Sequence, residues 1–445
     1  MYHMKIELPE KVKHIITTIQ AAGFEAYAVG GCVRDSLLGR VPDDWDITTS
    51  AKPEQIKELF PRTIDTGIQH GTVTVMLQKE GFEVTTYRID GKYEDSRHPK
   101  EVTFTANLTE DLKRRDFTIN AMAYNETEGL IDIFDGKGDI ERKLIRCVGE
   151  ARERFKEDAL RMMRAVRFSA QLGYGIEENT KNAIKELAPT LKNISAERIQ
   201  TELIKLVVSP NPDYLRIAYE TGVTAIILPE FDKMMETEQK NPHHCYSVGE
   251  HTLCAMKNVK ADKVLRLAML FHDIGKPDTL TVDEDGIAHF YGHPELGMEM
   301  TRQIMRRLKF DNDTLYKVTK LVRHHDYDIG TTPKGMRRAI YKIGEDIMPL
   351  LFPVKQADLN AQSDYKREEK QKLLDELTGI YEKVLEEKDC VSLKTLAVTG
   401  SDLIAAGMKP GKEIGEILNS LLQLVIDNPE CNTKDYLMKK AMENS

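Results

Sequence analysis

Two groups of residues hold the chemical options of this chain. The first opens at Gly30-Gly31, where missing side chains let backbone N–H groups approach a phosphate, and runs on through Arg34-Asp35 to Asp44-Trp45-Asp46. On a strand, residues i and i+2 point to one face, so a strand over Asp44–Thr48 would bring both carboxylates together. Paired carboxylates repel unless a cation lies between them, and an all-oxygen pair suits Mg²⁺ shared with substrate phosphates. Two such ions stabilise both the attacking and the leaving oxygen of a phosphoryl transfer. A plain turn and a solvated loop are the alternatives for Gly-Gly and Asp-x-Asp taken singly. Glu83, in the alternating run Phe82–Arg88, either joins the acids as a third carboxylate or faces solvent. Arg114-Arg115-Asp116-Phe117-Thr118-Ile119-Asn120 sets two cations, an acid and an amide within seven residues. Arginine suits triphosphate oxygens; Asp116 and Asn120 suit ribose hydroxyls.

The second group is rich in imidazole. His251 falls in a helical stretch, His272-Asp273 follows the apolar run Leu267–Phe271, His293 follows Gly292, His324-His325-Asp326 ends another helical pattern, and Asp358 stands in Lys355-Gln356-Ala357-Asp358. A lone histidine is usually structural. This many, mixed with carboxylates, suit a transition-metal hydrolase site.

The elements that must position these residues differ along the chain. Lys11–Ala22 has helical spacing, Ala26–Val29 is a short apolar strand, and Cys32–Leu38 reads as a helix stopped by Gly39. Asp44–Thr48, Val73–Leu77 and Phe82–Arg88 read as strands. Beyond Leu144 strand signals nearly vanish: Phe155–Phe168, Ile176–Leu187 and Ser195–Val208 are helical, Ser209-Pro210-Asn211-Pro212 punctuates, and the rest is helical and charged.

With 445 residues, 41% hydrophobic and 30% charged, the chain can build real cores, which excludes a disordered protein. No window of 18 apolar residues marks a membrane span, and the charged N-terminus does not read as a secretory signal. Six cysteines without a Cys-x-x-Cys pair read as reduced thiols of a cytoplasmic protein. The net charge is -9, yet Glu141–Arg167 holds nine basic and five acidic residues. A locally basic middle in an acidic chain implies a phosphate-facing surface; a solvated helix laced with ion pairs is the alternative.

Taken together, GGCVRDSLLGRVPDDWDITT, TGIQHGTVTV, RRDFTINAMAY and EDALRMMRAVRF resemble the class II tRNA nucleotidyltransferases of the polymerase-beta superfamily, which build and repair the CCA 3′ end of tRNA. The resemblance covers roughly Ala26 to Val208. It implies that Asp44 and Asp46 bind the metals and that Arg34, Arg115 and Asp116 handle the triphosphate and ribose. Gly30, Gly31, Arg88, Asn120 and Arg164 are further candidates for the nucleotide, and Glu83 for the catalytic acids. The family's base selector is an Glu-Asp-x-x-Arg motif, here Glu157 to Arg161. Asp158 and Arg161, three apart on one helix face, would accept from an exocyclic amine and donate to the acceptor beside it. Cytosine and adenine offer that edge; uracil and guanine do not. An ordinary intrahelical ion pair is the other reading. Family members that add only CC lack a loop that Asp90–Lys100 supplies here, which weighs against CC-only activity and leaves A-only addition open.

The series His251, His272-Asp273, Asp358 resembles the HD phosphohydrolases, in which these four bind a divalent metal that activates water, with His293 and His325 matching histidines for a second metal or phosphate. The expected fold is α+β: a polymerase-beta-like α/β head at 1–145, a helical neck at 146–212, a helical HD domain at 213–370 and a helical tail at 371–445. The expected ligands are tRNA, CTP and ATP, with Mg²⁺ in the head and a divalent metal of unspecified identity in the HD site; no membrane or protein partner is expected. Two rival functions stand beside this one: a poly(A) polymerase, and an HD hydrolase with an RNA-binding head.

Overall fold

The computed structural model describes residues 5–91, 102–241, 243 and 246–443, and the chain separates into two compact units, Met1–Pro229 and Glu230–Ser445. The loop expected over Asp90–Lys100 lies, beyond Gly91, outside the described residues.

In the first unit, helix α1 (Glu10–Ala21) buries Val12, Ile15, Ile16 and Ile19, an i, i+3, i+4, i+7 spacing that lines one helical face. Strand β1 (Ala26–Val29) is buried throughout; α2 (Gly31–Leu37), β2 (Ile47–Thr49) and α3 (Pro53–Leu59) follow. Then come β3 (Thr63–Gly67), β4 (Thr72–Leu77), β5 (Glu80–Thr86) and the short pair β6 (Arg88–Asp90) and β7 (Val102–Phe104). Helix α4 (Leu108–Lys113), β8 (Met122–Asn125), β9 (Gly129–Asp132) and α5 (Gly136–Arg142) complete the head.

Seven strands form one sheet in the order β3-β4-β5-β2-β1-β8-β9, with β2–β5 parallel and its other pairings antiparallel. Strand alternation splits β1 between two cores. Ala26 and Ala28 pack with α1, Ile47, Val73 and Val84, whereas Tyr27 and Val29 pack with Tyr87, Leu112 and Ala123. Each of the larger apolar side chains so buried stabilises the head by about 1.5–3 kcal/mol.

Two expected elements are corrected. Asp44 and Asp46 are not on a strand: β2 starts at Ile47, and Val29 N–H donates to Asp46 O at 3.0 Å as the last rung. Gly30, at φ 83°, turns β1 away there, so no partner remains for residues nearer Asp44. The expected strand over Phe82–Arg88 likewise breaks at Tyr87, leaving Arg88 on β6.

The helical part of this unit begins with α6 (Ala151–Glu157) and α7 (Leu160–Leu172), followed by α8 (Glu178–Leu187) and α9 (Ala196–Val207). The single helix expected over Phe155–Phe168 is therefore interrupted. Asp158 is extended (φ −144°, ψ 105°) and its carboxylate accepts from Leu160 N–H at 3.0 Å, the kind of side-chain bond that starts a helix afresh. Asp158 and Arg161 do not share one continuous helix face.

Among its described residues the second unit is mostly helical, with a two-residue strand pair, Thr281–Val282 with Ala288–His289. Its helices include Val248–Lys257, Lys263–Phe271, His293–Arg307, Asn312–His324 and Met348–Asn360. Toward the C-terminus a separate apolar cluster gathers Leu403, Leu421, Val425 and Leu437.

Candidate active site

The head's acids and cations converge at the Gly30 turn. The Gly30 φ suits glycine, and a Cβ there would stand 3.2 Å from Arg115 Nη1, so the turn also makes room for that guanidinium. Gly31 opens α2, whose Arg34 Nη1 donates to Asn120 Oδ1 at 2.6 Å. Asn120 Nδ2 donates to Asp116 Oδ1 at 3.2 Å, and Arg164 Nε donates to Asp116 Oδ2 at 2.8 Å. The head's Arg34 is thus tied through Asn120 and Asp116 to Arg164 on α7. Phe168 reinforces this link: the guanidinium carbons of Arg34, Arg164 and Arg167 lie 5.1, 5.3 and 3.8 Å from its ring centre.

Asp46 and Glu83 are both held above their ordinary carboxyl values, chiefly by desolvation; Asp44 pushes both upward, Asp46 pushes Glu83, and Arg115 pulls Asp46 down. Glu83 therefore senses both aspartates, as a third carboxylate would. Such mutual elevation is relieved by a cation, and the all-oxygen donor set fits a hard divalent one. Arg88 lies elsewhere in the network: its Nη1 donates to His70 O at 2.6 Å and its Nε pairs with Asp90 at 3.0 Å.

Asp116 is held down to about 2: burial pushes it up, but Arg164 and Arg161 outweigh burial. A depressed carboxyl contributes stability above its unfolded value, 3.8, and loses it as pH falls toward 2. Asp116→Asn should therefore cost roughly 2 kcal/mol at neutral pH. The gap in unfolding midpoint between parent and variant should hold from pH 7 to about 4 and close below that. A pH-independent gap would assign the loss to packing.

Three supporting residues were missed in the sequence. Buried Asp111 accepts from Thr48 Oγ1 (3.0 Å), Arg88 N–H (3.2 Å) and Arg114 (3.0 Å), and pairs with Arg115 at 3.7 Å. Its i,i+3 and i,i+4 spacing to the arginine pair was the available signal. Arg198 and Glu202, one turn apart on α9, meet residues some 40 positions earlier, which no local pattern announces. Arg198 Nη2 and Nη1 donate to the Asp158 oxygens at 2.6 and 3.2 Å. Glu202 accepts from Arg167 Nε at 2.8 Å and lies 3.7 Å from Arg164 Nη1. Arg161 donates to Glu157 at 2.6 Å and to the Arg114 carbonyl at 3.1 Å.

In the second unit the imidazole cluster assembles from helix ends. One local device recurs: Nδ1 of His272, His293 and His325 bonds the carbonyl three residues back, on Met269 (2.7 Å), Phe290 (2.8 Å) and Val322 (2.7 Å). His251 Nδ1 uses the Ala361 carbonyl at 3.2 Å. A carbonyl only accepts, so each Nδ1 carries hydrogen and each Nε2 is turned inward. The inward nitrogens face one another in pairs, His251 with His272 at 3.2 Å and His293 with His325 at 3.3 Å.

Asp273 stands between the pairs: Oδ2 is 3.2 Å from His272, and Oδ1 is 3.5 and 3.6 Å from His293 and His325. Asp358 Oδ1 is 2.8 Å from His251. Ligand atoms of His251, His272, Asp273 and Asp358 all lie within 4.8 Å of one another, as do those of Asp273, His293 and His325. Among the described residues, Asp44, Asp46 and Glu83 are not drawn that tightly together. Burial pulls the His272 imidazole down, but Asp273 and Asp358 outweigh it and hold it at about 10. The two carboxylates thus favour a cation among the inward nitrogens, and the mixed N/O donors fit a transition metal.

A mixed sheet with a Gly-Gly turn at the end of β1, acids beside that turn and arginine-bearing helices after it is the setting of a nucleotidyltransferase head. Residues 26–146 match the Poly A polymerase head domain family, 173–235 the RNA and SrmB-binding site of polymerase A, and 279–441 the tRNA nucleotidyltransferase domain 2 family. The chain belongs to the CCA-adding enzyme family: it is 37% identical over 433 residues to the CCA-adding enzyme of Lactobacillus helveticus, covering 96% of both chains. The solved Bacillus stearothermophilus CCA-adding enzyme in complex with CTP is 31% identical with a TM-score of 0.73, over 97% of this chain and 96% of that one. The Thermotoga maritima CCA-adding enzyme complexed with tRNA shares the fold at 19% identity and a TM-score of 0.57, over 100% and 97% of the two chains. No described helix is long and apolar enough to cross a membrane.

Proposed function

We propose that this chain adds CMP and AMP, from CTP and ATP, to the 3′ end of tRNA lacking CCA. The observation that carries this is the linkage of the acid-bearing head to the neck through Arg34, Asn120, Asp116 and Arg164, together with kinship along the whole chain. The relevant working parts fall at 1–145 for the head and 146–212 for the neck. Asp44 and Asp46, with Glu83 beside them, would hold Mg²⁺, which when bound lowers the pKa of the tRNA 3′-hydroxyl and neutralises the departing pyrophosphate. Arg34 and Arg115 bind triphosphate oxygens, Asp116 and Asn120 orient the ribose, and Asp158 with Arg161 reads the base edge. Offering each nucleoside triphosphate singly to a truncated tRNA tests this: uptake of C and then A, without runs of A, separates CCA addition from poly(A) synthesis.

Base choice should move with Asp158. Its carboxylate accepts from the exocyclic amine of cytosine or adenine and meets a carbonyl in uracil or guanine. Asp158→Ala should therefore raise UTP use relative to CTP by about tenfold or more, with smaller loss of triphosphate binding. Unchanged nucleotide ratios in this variant would place the selector elsewhere.

A second activity is favoured by the inward-turned nitrogens around Asp273. His251, His272, Asp273 and Asp358 would hold a divalent metal, and His293 with His325 a second metal or a phosphate; when bound, the metal supplies an activated water. Phosphate monoesters or 2′,3′-cyclic phosphates at a damaged tRNA end suit that chemistry.

A further inference from the structure

The geometry points to Arg198 as the positioning residue of base selection, the side chain that aims the Asp158 carboxylate at the incoming base. This rests on the base-selecting role proposed above for Asp158. The interruption between α6 and α7 leaves Asp158 in extended backbone, its N–H closing the last turn of α6 on the Arg154 carbonyl at 3.3 Å and its side chain off the regular helix surface. Three bonds fix the carboxylate. Leu160 N–H donates to Oδ1 at 3.0 Å, and the Arg198 guanidinium closes a fork on both oxygens at 2.6 and 3.2 Å. A planar fork sets the plane of a carboxylate as well as its place, which a point charge does not. With that plane fixed, the one acceptor site left over, on Oδ2, points in one direction, and only a base edge with a donor there is matched.

Helix α9 has the form of a backing plate for this task. Its buried face, including Ile199, Leu203 and Leu206, anchors it, while Arg198 and Glu202 stand one turn apart. Each meets its opposite charge: Arg198 takes Asp158, and Glu202 takes Arg167 and approaches Arg164. The same helix thus braces the base-reading acid and the arginine tied to Asp116. Arg198 touches no reacting atom in this scheme; it acts through Asp158.

Single-nucleotide incorporation into tRNA lacking CCA tests this, with kcat and KM measured for CTP, ATP, UTP and GTP in the full chain. Arg198→Ala is expected to raise UTP and GTP use relative to CTP and ATP by about tenfold, with kcat for CTP changed by no more than about threefold. Arg198→Lys keeps the charge without the fork and should recover only part of the discrimination. If the alanine variant unfolds by circular dichroism, Arg198→Gln, which keeps most of the stem, takes its place with the same expected relaxation. Parallel loss on all four nucleotides, or unchanged ratios, would overturn the assignment, since a packing role moves every substrate alike. Asp158→Ala, run beside it, separates the two levels. Relaxed choice there with unchanged choice in the Arg198 variants overturns the positioning role alone; unchanged choice in Asp158→Ala overturns base selection by Asp158, and this inference with it.

Discussion

Asp44→Ala or Asp46→Ala will abolish incorporation of both C and A, by about 10³-fold or more in kcat, while tRNA binding stays near that of the parent. The loss is expected to be common to both nucleotides because Asp46 meets β1 beside the Gly30 turn, with Arg115, and not at Asp158, the residue proposed to read the base. Asp46 carries the sharper prediction. Its backbone carbonyl is fixed by Val29 and its carboxyl is raised by desolvation and by Asp44. Removing it takes away one of the carboxylates proposed to hold the cation without cutting a strand, since β2 begins one residue later. One preorganised electrostatic stabiliser is worth about 10²–10³ in rate, and a residue that holds a metal between substrate oxygens should exceed that. The conservative Asp46→Asn keeps the shape and removes the charge, so it should fall nearly as far as alanine. Filter binding of truncated tRNA and single-turnover incorporation, done on the same preparations, check both halves. Near-parent rates in either alanine variant would refute metal holding by the Asp-x-Asp pair.

Much of this architecture was legible in order and type, less so at its edges. The spacing of Val12, Ile15, Ile16 and Ile19 announced α1, and Ala26–Val29 announced a strand ending in a turn. The limits of elements were set by partners that a local pattern does not contain. Asp44–Thr48 looked like a strand, but a strand needs a neighbour, and Gly30 had already carried β1 away. Phe155–Phe168 looked like one helix because its apolar period continues across Asp158; the break appears only when the Asp158 carboxylate bonds Leu160 N–H and Arg198. The residues of the site followed the same rule. Types with obvious chemistry, such as Asp116 with Asn120, stood out and do meet. Arg198 and Glu202 carry no local signal and acquire their contacts from positions brought together by tertiary packing, whereas Asp111 offered only its spacing to Arg114 and Arg115. The imidazole cluster was legible in its ligand types, whereas its most telling feature was not: four Nδ1 atoms committed to backbone carbonyls, which fixes the direction of every Nε2.

That feature carries the second large prediction, that the two sites respond separately. His272→Ala or Asp273→Ala should remove metal-restored hydrolysis of a 2′,3′-cyclic or 3′-phosphorylated tRNA end by about 10²-fold or more, given that even outer partners of metal ligands are worth 10–100-fold. CCA addition by the same variants should stay within about twofold of the parent, because the head's donors are carboxylates on a different compact unit. Metal identity provides an independent axis. After chelation, Mg²⁺ should restore nucleotide addition, while the imidazole-bearing cluster should respond to Mn²⁺, Co²⁺ or Ni²⁺. Metal uptake by the cluster should also release protons, since Asp273 and Asp358 raise the proton affinity of the His272 imidazole and a cation would compete with that proton. Isothermal titration in buffers of different ionisation enthalpy measures that release directly and does not depend on turnover. Absence of both proton-linked metal binding and restored hydrolysis in the parent would leave the cluster as a structural ion network. Loss of CCA addition in a folded His272 variant would instead make the second unit a support for the tRNA body, because a separate metal site has no other route to the head's chemistry.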